Sequence, residues 1–175
     1  KSAQARRAVT ILYWAAFAGL LFLMGWLLFT NLDQYLIQDY DEARHGVNAY
    51  EMIRNGDALV TTYQGEPDYW NLKPPLSAWS IALSYRLFGY TPFALRFYSA
   101  LAMLLAAGAM ALWSHRRCGR WGTLLLLLGL VGDARLFGLH FARFGEADAQ
   151  YQLFFTLAML CMLLSDGNFR WFYGS

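Results

Sequence analysis

Acidic residues that could act together in catalysis occur in two separate polar parts of the chain. Asp41 and Glu42 lie in the first part, and Glu146 and Asp148 lie in the second. One carboxylate of such a set can act as general base towards an acceptor hydroxyl or amine. Another can position the acceptor or help to hold a divalent metal ion. The alternative is that Asp39 and Glu42 cap a helix and that the remaining acids are solvated loop residues.

Two basic residues of the same polar parts could bind a phosphate. Lys73 is the only lysine after Lys1, and it directly precedes Pro74 and Pro75, which stiffen its backbone. A fixed ammonium group is a natural partner for a phosphate. Arg143, beside the second acidic pair, can add a bidentate contact. Alternatively, both residues only hold their loops at lipid headgroups.

The composition of the 175 residues is that of a membrane protein. Hydrophobic residues make up 58% and charged residues 15% of the chain, a balance typical of proteins with apolar spans. Aromatic residues reach 18%, and tryptophan and tyrosine favour membrane interfaces. The net charge of +2 gives no support for nucleic-acid binding. Cys118 and Cys161 lack metal-ligand spacing. Both fall near the side assigned below as cytoplasmic, so we expect inert, reduced thiols, with reversible lipidation of Cys118 as the weaker alternative.

Four apolar runs predict an all-α, polytopic membrane fold, with four transmembrane helices in a single domain over residues 1–175. The first run has 22 residues without a charge. At 1.5 Å per residue it measures about 33 Å, enough to cross a bilayer core of about 30 Å. This run is too long for a cleaved signal peptide. The predicted spans are 9–30, 92–114, 121–140 and 148–165.

A long loop over residues 31–91 separates the first two spans. Within it, the spacing of apolar residues predicts a short amphipathic helix over 41–54. Residues 57–72 are predicted to be irregular. Residues 76–88 predict a second short helix, which has too few residues to span a bilayer. We expect both helices to lie at the membrane surface.

The distribution of Lys and Arg predicts the orientation of the chain. Basic residues flank the spans in segments 1–7 and 115–120, which fall on one side if there are four crossings. That side is then cytoplasmic, in a plasma (inner) membrane. The loop 31–91 and the link 141–148 share the outer side. The two acidic pairs are therefore expected to converge on one outer face.

A few further polar residues have less specific roles. Asp133 and Arg135 interrupt the third predicted span, where charges are costly and are usually paired or functional. They are expected to pair locally near the interface or to face a polar cavity. His45, His115 and His140 do not form a ligand set by spacing. His45 lies one helical turn after Asp41, so it either faces the same cavity or is a solvated surface residue, and we expect the latter.

A series of short motifs resembles a known family. In chain order the motifs are DEAR, MIRNGDALV, GEP, KPPL, LFG, FALRFYSAL and ARFGEAD. Each motif alone is weakly specific, whereas the ordered series with matching spacing is fairly specific. The chain resembles the membrane glycosyltransferases of the C-type (GT-C) fold, in particular the protein-mannosyltransferase-like and aminoarabinose-transferase-like enzymes. The resemblance covers roughly residues 10–165.

The resemblance implies an enzyme that takes a sugar from a polyprenyl-phosphate carrier and passes it to a lipid or protein acceptor outside the cytoplasm. It implies that Asp41 is the catalytic base and that Lys73 contacts the carrier phosphate. Asp148, together with Glu146, is similar to the second outer-loop acid. Glu42 and Arg143 are predicted to contribute to substrate binding. A leaving phosphate gains charge and needs fixed cations, which agrees with these assignments.

Two departures from the family pattern and two alternatives stand beside this prediction. Many relatives carry an acid directly before the lysine of KPP, whereas this chain has Leu72 there, which removes a likely metal ligand. Family members have more helices, so we expect the chain to be part of a longer product. One alternative is a non-catalytic subunit of the same fold, docked in a larger membrane protein complex. A small transporter using Asp133 and Arg135 is the weaker alternative, because no helix break or repeat is evident.

Overall fold

The computed structural model describes residues 3–38, 40–70, 74–138 and 141–165, and most of these are helical. The helices are α1 (Ala3–Phe29), α2 (Asp41–Asn55), α3 (Leu76–Phe88), α4 (Pro92–Arg117), α5 (Gly119–Gly132) and α6 (Asp148–Leu164). Strands β1 (Thr62–Tyr63) and β2 (Glu66–Pro67) form an antiparallel hairpin. Among the described helices, α1 and α4 are long and apolar enough to cross a bilayer.

Helix α4 is the centre of the bundle. It contacts α1, α3, α5 and α6. Thr91 caps its start by accepting a hydrogen bond from the Ala94 amide at 3.1 Å, and Pro92 fills the first helical position. Small side chains allow neighbouring backbones to approach closely. The fully buried alanines of α4 are Ala94, Ala100, Ala106, Ala107 and Ala111.

One end of the bundle is basic. The Tyr13 hydroxyl on α1 and Nδ1 of His115 on α4 are hydrogen-bonded at 2.7 Å, and the two rings stack. The start of α1 therefore lies beside the end of α4. We call this the basic end, formed by residues 3–13 and 115–121. It unites the two basic segments that the sequence predicted to share one side.

The opposite end joins the exit of α1, the start of α4 and the link before α6. Arg143 donates to the Thr30 carbonyl at 2.6 Å, just after the last turn of α1. Arg96, in the second turn of α4, donates to the Leu32 carbonyl at 2.7 Å. We call this the site end, formed by residues 30–42, the first two turns of α4 and residues 141–148.

Helix α2 begins at Asp41 and ends at Asn55, within one residue of the predicted helix. It ends where Gly56 adopts a left-handed conformation, φ 72°, which glycine tolerates without a steric penalty. Its buried residues recur at helical spacing and include His45, which is only 4% exposed. The expectation of a solvated His45 was therefore wrong. Asp39, the other half of the predicted capping box, lies outside the described residues.

The third predicted span, 121–140, is shorter than expected, because α5 ends at Gly132. The Asp133 side chain accepts the Arg135 amide at 3.0 Å and starts a 3-10 turn, Ala134–Phe137. An aspartate that bonds to a nearby backbone amide competes with continuation of a helix. Asp133 and Arg135 are exposed and lie beyond the helix rather than within it. The placement of these residues within the third α-helix was therefore wrong.

The segment predicted to be irregular contains the β-hairpin. Gln64 and Gly65 both have positive φ, 56° and 85°, as a two-residue type I′ turn requires. Both carboxylate oxygens of Glu51 accept the Gly65 amide at 3.2 Å, so the turn is tied to α2. Each strand has two residues, which is too short for a periodic signal in the sequence.

Gly145 lies where the link before α6 crosses α4 without room for a side chain. A Cβ at this position would lie 2.7 Å from Leu95 Cγ and 3.2 Å from the Leu95 carbonyl oxygen. Gly145→Ala is therefore expected to destabilise the protein by about 1–3 kcal/mol, as overpacking does. Thermal unfolding measures the loss. Gly129→Ala on α5 is the control, because a Cβ there meets nothing within 4 Å. Equal melting temperatures for the two variants would contradict the packing.

Candidate functional site

Asp41 and Asp148 are each the first residue of a helix at the site end. Asp41 begins α2, Asp148 begins α6, and both residues are exposed. A carboxylate in the first turn is stabilised by the helix dipole while it stays accessible to solvent and substrate. The two helix starts are linked by their neighbours, since Glu42 accepts the Gly145 amide at 2.9 Å. The two acidic parts of the sequence thus meet at one end of the fold.

A buried ion pair lies directly beneath this meeting point. Arg96 Nε donates to Glu42 Oε1 at 2.6 Å, and Arg96 NH2 donates to Glu42 Oε2 at 2.8 Å. The side chains are 1% and 0% exposed. This bidentate geometry is the strongest common form of a carboxylate–guanidinium contact. The pair joins α2 to α4, and its two residues are 54 positions apart in the chain.

The other donors of Arg96 fix the chain that leaves α1. They bind the carbonyls of Leu32, Tyr35 and Leu36 at 2.7, 3.0 and 2.9 Å. The guanidinium also lies over the Phe144 ring, 5.4 Å from its centroid. All five N–H donors of the guanidinium are therefore used. These bonds hold residues 32–36, which form no regular helix or strand, in one conformation.

Glu42 is equally saturated. Besides Arg96, its oxygens accept the backbone amides of Gln38 at 2.8 Å and Gly145 at 2.9 Å. Burial by itself would raise the pKa of Glu42, but the hydrogen bonds from Arg96 and the two amides outweigh burial and lower this pKa. The carboxylate is ionised at neutral pH, and its four acceptor positions are filled. A direct contact with substrate, as the sequence predicted, would have to displace one of these bonds.

The link before α6 is fastened to α4 through a backbone carbonyl. The Glu146 carbonyl accepts from the Tyr98 hydroxyl at 2.6 Å and from the Ser99 hydroxyl at 3.1 Å. Glu146 itself is only 4% exposed. Of the second acidic pair, Asp148 is therefore the accessible member, and Glu146 belongs to the packed interior.

Arg143 and Lys73 were predicted to bind phosphate. Arg143 is half-buried, and one of its nitrogens is engaged by the Thr30 carbonyl at 2.6 Å. Lys73 lies outside the described residues. The next residue, Pro74, lines a cleft of about 340 Å³ between α3 and α6 that Asp148 and Tyr151 also line. The proline that follows Lys73 and the candidate acid Asp148 thus border one cavity.

Sequence reasoning missed a second ion pair, which holds the hairpin segment on α2. Arg44 donates to both oxygens of Asp68, at 2.8 and 2.6 Å, and Asn48 donates to the same carboxylate at 3.1 Å. The guanidinium of Arg44 lowers the pKa of Asp68. Asp68 also accepts the Trp70 amide at 3.2 Å. These bonds fix the chain a few residues before Lys73.

A metal ion was left open by the sequence. Within residues 3–38, 40–70, 74–138 and 141–165, no group of three or more His, Cys, Asp or Glu side chains is arranged to hold a metal ion. Of the four candidate acids, Glu42 is an ion-pair partner, Glu146 is buried, and Asp41 and Asp148 are exposed at helix starts.

Removal of the Glu42 charge is the direct test of the buried ion pair. Glu42→Gln leaves the guanidinium of Arg96 buried without a counter-charge, so we expect a loss of about 3–5 kcal/mol in unfolding free energy. Glu51→Gln makes the same chemical change on the same helix but at a partly exposed residue, where about 1 kcal/mol or less is expected. Denaturant unfolding compares the two variants. A small, equal loss in both would show that the pair does not hold the site end together.

The same pair predicts a pH dependence. Because the pKa of Glu42 is lowered from its ordinary 4.5 in the folded protein, the stability it contributes is fully present above that value. It is lost as the pH falls through the lowered pKa. The melting temperature of wild type should therefore fall more steeply than that of Glu42→Gln on acidification below about pH 4.5. Parallel curves would contradict the assignment.

Comparison with known proteins identifies a family and several relatives. Residues 72–175 match the family described as dolichyl-phosphate-mannose-protein mannosyltransferase. An undecaprenyl phosphate-alpha-4-amino-4-deoxy-L-arabinose arabinosyl transferase of Aeromonas salmonicida is 33% identical over 150 residues, which are 83% of this chain and 26% of that protein. An uncharacterized protein of Aquifex aeolicus is 28% identical over 133 residues, 76% of this chain and 26% of that protein.

A solved structure shows the same fold. The crystal structure of ArnT from Cupriavidus metallidurans in the apo state superposes with a TM-score of 0.71 at 24% identity, over 91% of this chain and 28% of that one. The chain thus spans about a quarter of the length of these relatives. The resemblance that the sequence motifs indicated is confirmed. Because the family match covers more than half of the residues, the chain belongs to the dolichyl-phosphate-mannose-protein mannosyltransferase family.

Proposed function

We propose that this chain forms part of a glycosyltransferase that moves a sugar from a polyprenyl-phosphate carrier to a lipid or protein acceptor on the outer face of the membrane. Family membership supports the class of reaction. The observation that carries the proposal is the pair of exposed carboxylates, Asp41 and Asp148, at helix starts joined by the buried pair of Glu42 and Arg96. The comparisons do not favour a non-catalytic subunit of a larger complex.

Asp41 is assigned as the general base. A base must be accessible to the acceptor and yet held in a fixed place. Asp41 is exposed, whereas the next residue, Glu42, is locked by hydrogen bonds. Tyr40, just before it, has φ 86°, which is unfavourable for a residue with a Cβ. Such a conformation persists only where neighbouring contacts enforce it, and it recurs at functional sites.

The cleft that Asp148 lines is assigned to the sugar-phosphate end of the carrier. When the sugar is transferred, the phosphate that leaves gains charge and is stabilised by fixed cations. Lys73 directly precedes Pro74 in the sequence, Pro74 lines the cleft, and Arg143 lies in the link that leads to α6. We assign both to the phosphate. Asp148, as the accessible acid of the cleft, is assigned to orienting the acceptor or the sugar.

Glu42 and Glu146 are assigned positioning roles. Glu42 connects the base-bearing helix to α4 and to the link before α6 through its four hydrogen bonds. Glu146 is buried, and its carbonyl holds the link on α4. Through these residues, any displacement of one acidic segment would be passed to the other.

The membrane arrangement that fits this function has four crossings, formed by α1, α4, α5 and α6. The basic end then lies in the cytoplasm together with the N-terminus, in agreement with the positive-inside rule. The site end lies outside, with α2 and α3 along the membrane surface. Helices α5 and α6 have 14 and 17 residues, so this arrangement requires a local thinning of the bilayer or additional neighbours.

Replacement of Asp41 by Asn tests the proposed base. Asp41→Asn in the intact protein should lower sugar transfer from the polyprenyl-phosphate donor by about 10²–10⁴-fold, as loss of a general base does. Donor binding and melting temperature should hardly change, because the Asp41 side chain is exposed. Radiolabel transfer to the lipid or protein fraction measures the activity.

Asp33→Asn is the matched control, since Asp33 is also exposed at the site end. It should retain the transfer activity of wild type. Full activity of Asp41→Asn would refute the assignment of the base. Equal loss in Asp41→Asn and Asp33→Asn would show that the general charge of the surface matters rather than one carboxylate.

A further inference from the structure

A basic surface lies at the end of the bundle opposite the candidate site. Residues 3–20 and 105–130 contain no acidic side chain. The same stretches carry five arginines, all exposed: Arg6, Arg7, Arg116, Arg117 and Arg120. A cluster of one sign produces a positive potential that concentrates anions at this surface. The mechanism proposed above does not use any of these residues.

An apolar cleft opens directly beside one of these arginines, between α1 and α5. Its volume is about 280 Å³, and it is lined by Val9, Leu12, Tyr13, Arg120, Trp121 and Leu124. Trp121 is 79% exposed at its edge. Tryptophan favours the headgroup level of a bilayer, where one side of the ring is apolar and the other is wet. The cleft therefore combines a cation, an interfacial aromatic ring and an apolar floor.

Arg120 is held in place rather than extended freely into water. Its NH2 donates to the Thr10 hydroxyl at 3.0 Å, and its guanidinium carbon lies 5.5 Å from the centroid of the Tyr13 ring. Tyr13 is itself 5% exposed and is hydrogen-bonded to His115. A guanidinium has five N–H donors, and the contact with Thr10 uses one of them. The group is preorganised to receive a phosphate by paired hydrogen bonds.

We propose that this cleft binds one phospholipid with an anionic headgroup. The phosphate lies on the guanidinium of Arg120, and the first part of an acyl chain lies against Val9, Leu12 and Leu124. Position supports this occupant, because the cleft lies where the apolar runs of α1 and α5 begin, which is the boundary between headgroups and hydrocarbon. Charge supports it as well, because basic pockets between membrane helices select anionic lipids. The proposal does not depend on sugar transfer.

Lipid binding to the intact, delipidated protein tests this inference. Native mass spectrometry would compare phosphatidylglycerol with phosphatidylcholine of the same acyl chains. Wild type should bind phosphatidylglycerol with about fivefold or greater preference, the effect expected for one interfacial arginine. Arg120→Gln should remove most of this preference, whereas Arg86→Gln, at an exposed arginine on α3, should retain it. Trp121→Ala should weaken the binding of both lipids, because this change removes apolar contact rather than charge.

Several results would overturn the proposal. Equal binding of the two lipids by wild type would remove the charge-selective site. If Arg120→Gln kept the full preference for phosphatidylglycerol, the preference would belong to the basic surface as a whole and not to this cleft. Displacement of phosphatidylglycerol by inorganic phosphate would indicate a phosphate site without a lipid. Absence of bound lipid from the intact protein would indicate that another part of the chain covers the cleft. Melting temperatures of all variants confirm that each is folded.

Discussion

The buried contact between Glu42 and Arg96 is the interaction on which the site end depends. Each of the two groups would be very costly to bury alone, and a single partner would not compensate the cost in full. Here the remaining donors and acceptors are also filled, by three carbonyls on one side and two backbone amides on the other. These bonds offset much of the desolvation cost of burying the pair. The pair also fixes the relative positions of four separate parts of the chain. A hydrophobic contact of the same size would not define that geometry so narrowly.

This environment exposes one of two adjacent acids and buries the other. Asp41 and Glu42 are consecutive in the sequence and have similar chemistry, yet the helical turn places one carboxylate outside and the other inside. The inner carboxylate has a lowered pKa because its hydrogen bonds outweigh its burial. The outer one is exposed. The same division holds in the second acidic part, where Glu146 is buried and Asp148 is exposed.

Local features were predicted from the sequence because their signals are local. The helical spacing before Gly56 gave α2, and the segment between Pro75 and Gly89 gave α3. The division between the basic end and the site end was predicted from the alternation of polar and apolar runs. Contacts between distant residues were missed, since nothing in the sequence pairs Arg44 with Asp68. The importance of Arg96 could have been predicted from the sequence, because it is the only charged residue in 92–114.

The sequence did not distinguish the buried acids from the exposed ones, for a physical reason. Sequence spacing gives the residues that share a helix face, but it does not give burial at a meeting point of four segments. Glu42 is buried because the link carrying Gly145 packs over it, and that link has no room even for a Cβ at Gly145. The difference in burial between these acids therefore arises from tertiary packing. It follows that the start of α2 and the link before α6 are held in their observed positions by one connected set of contacts with α4.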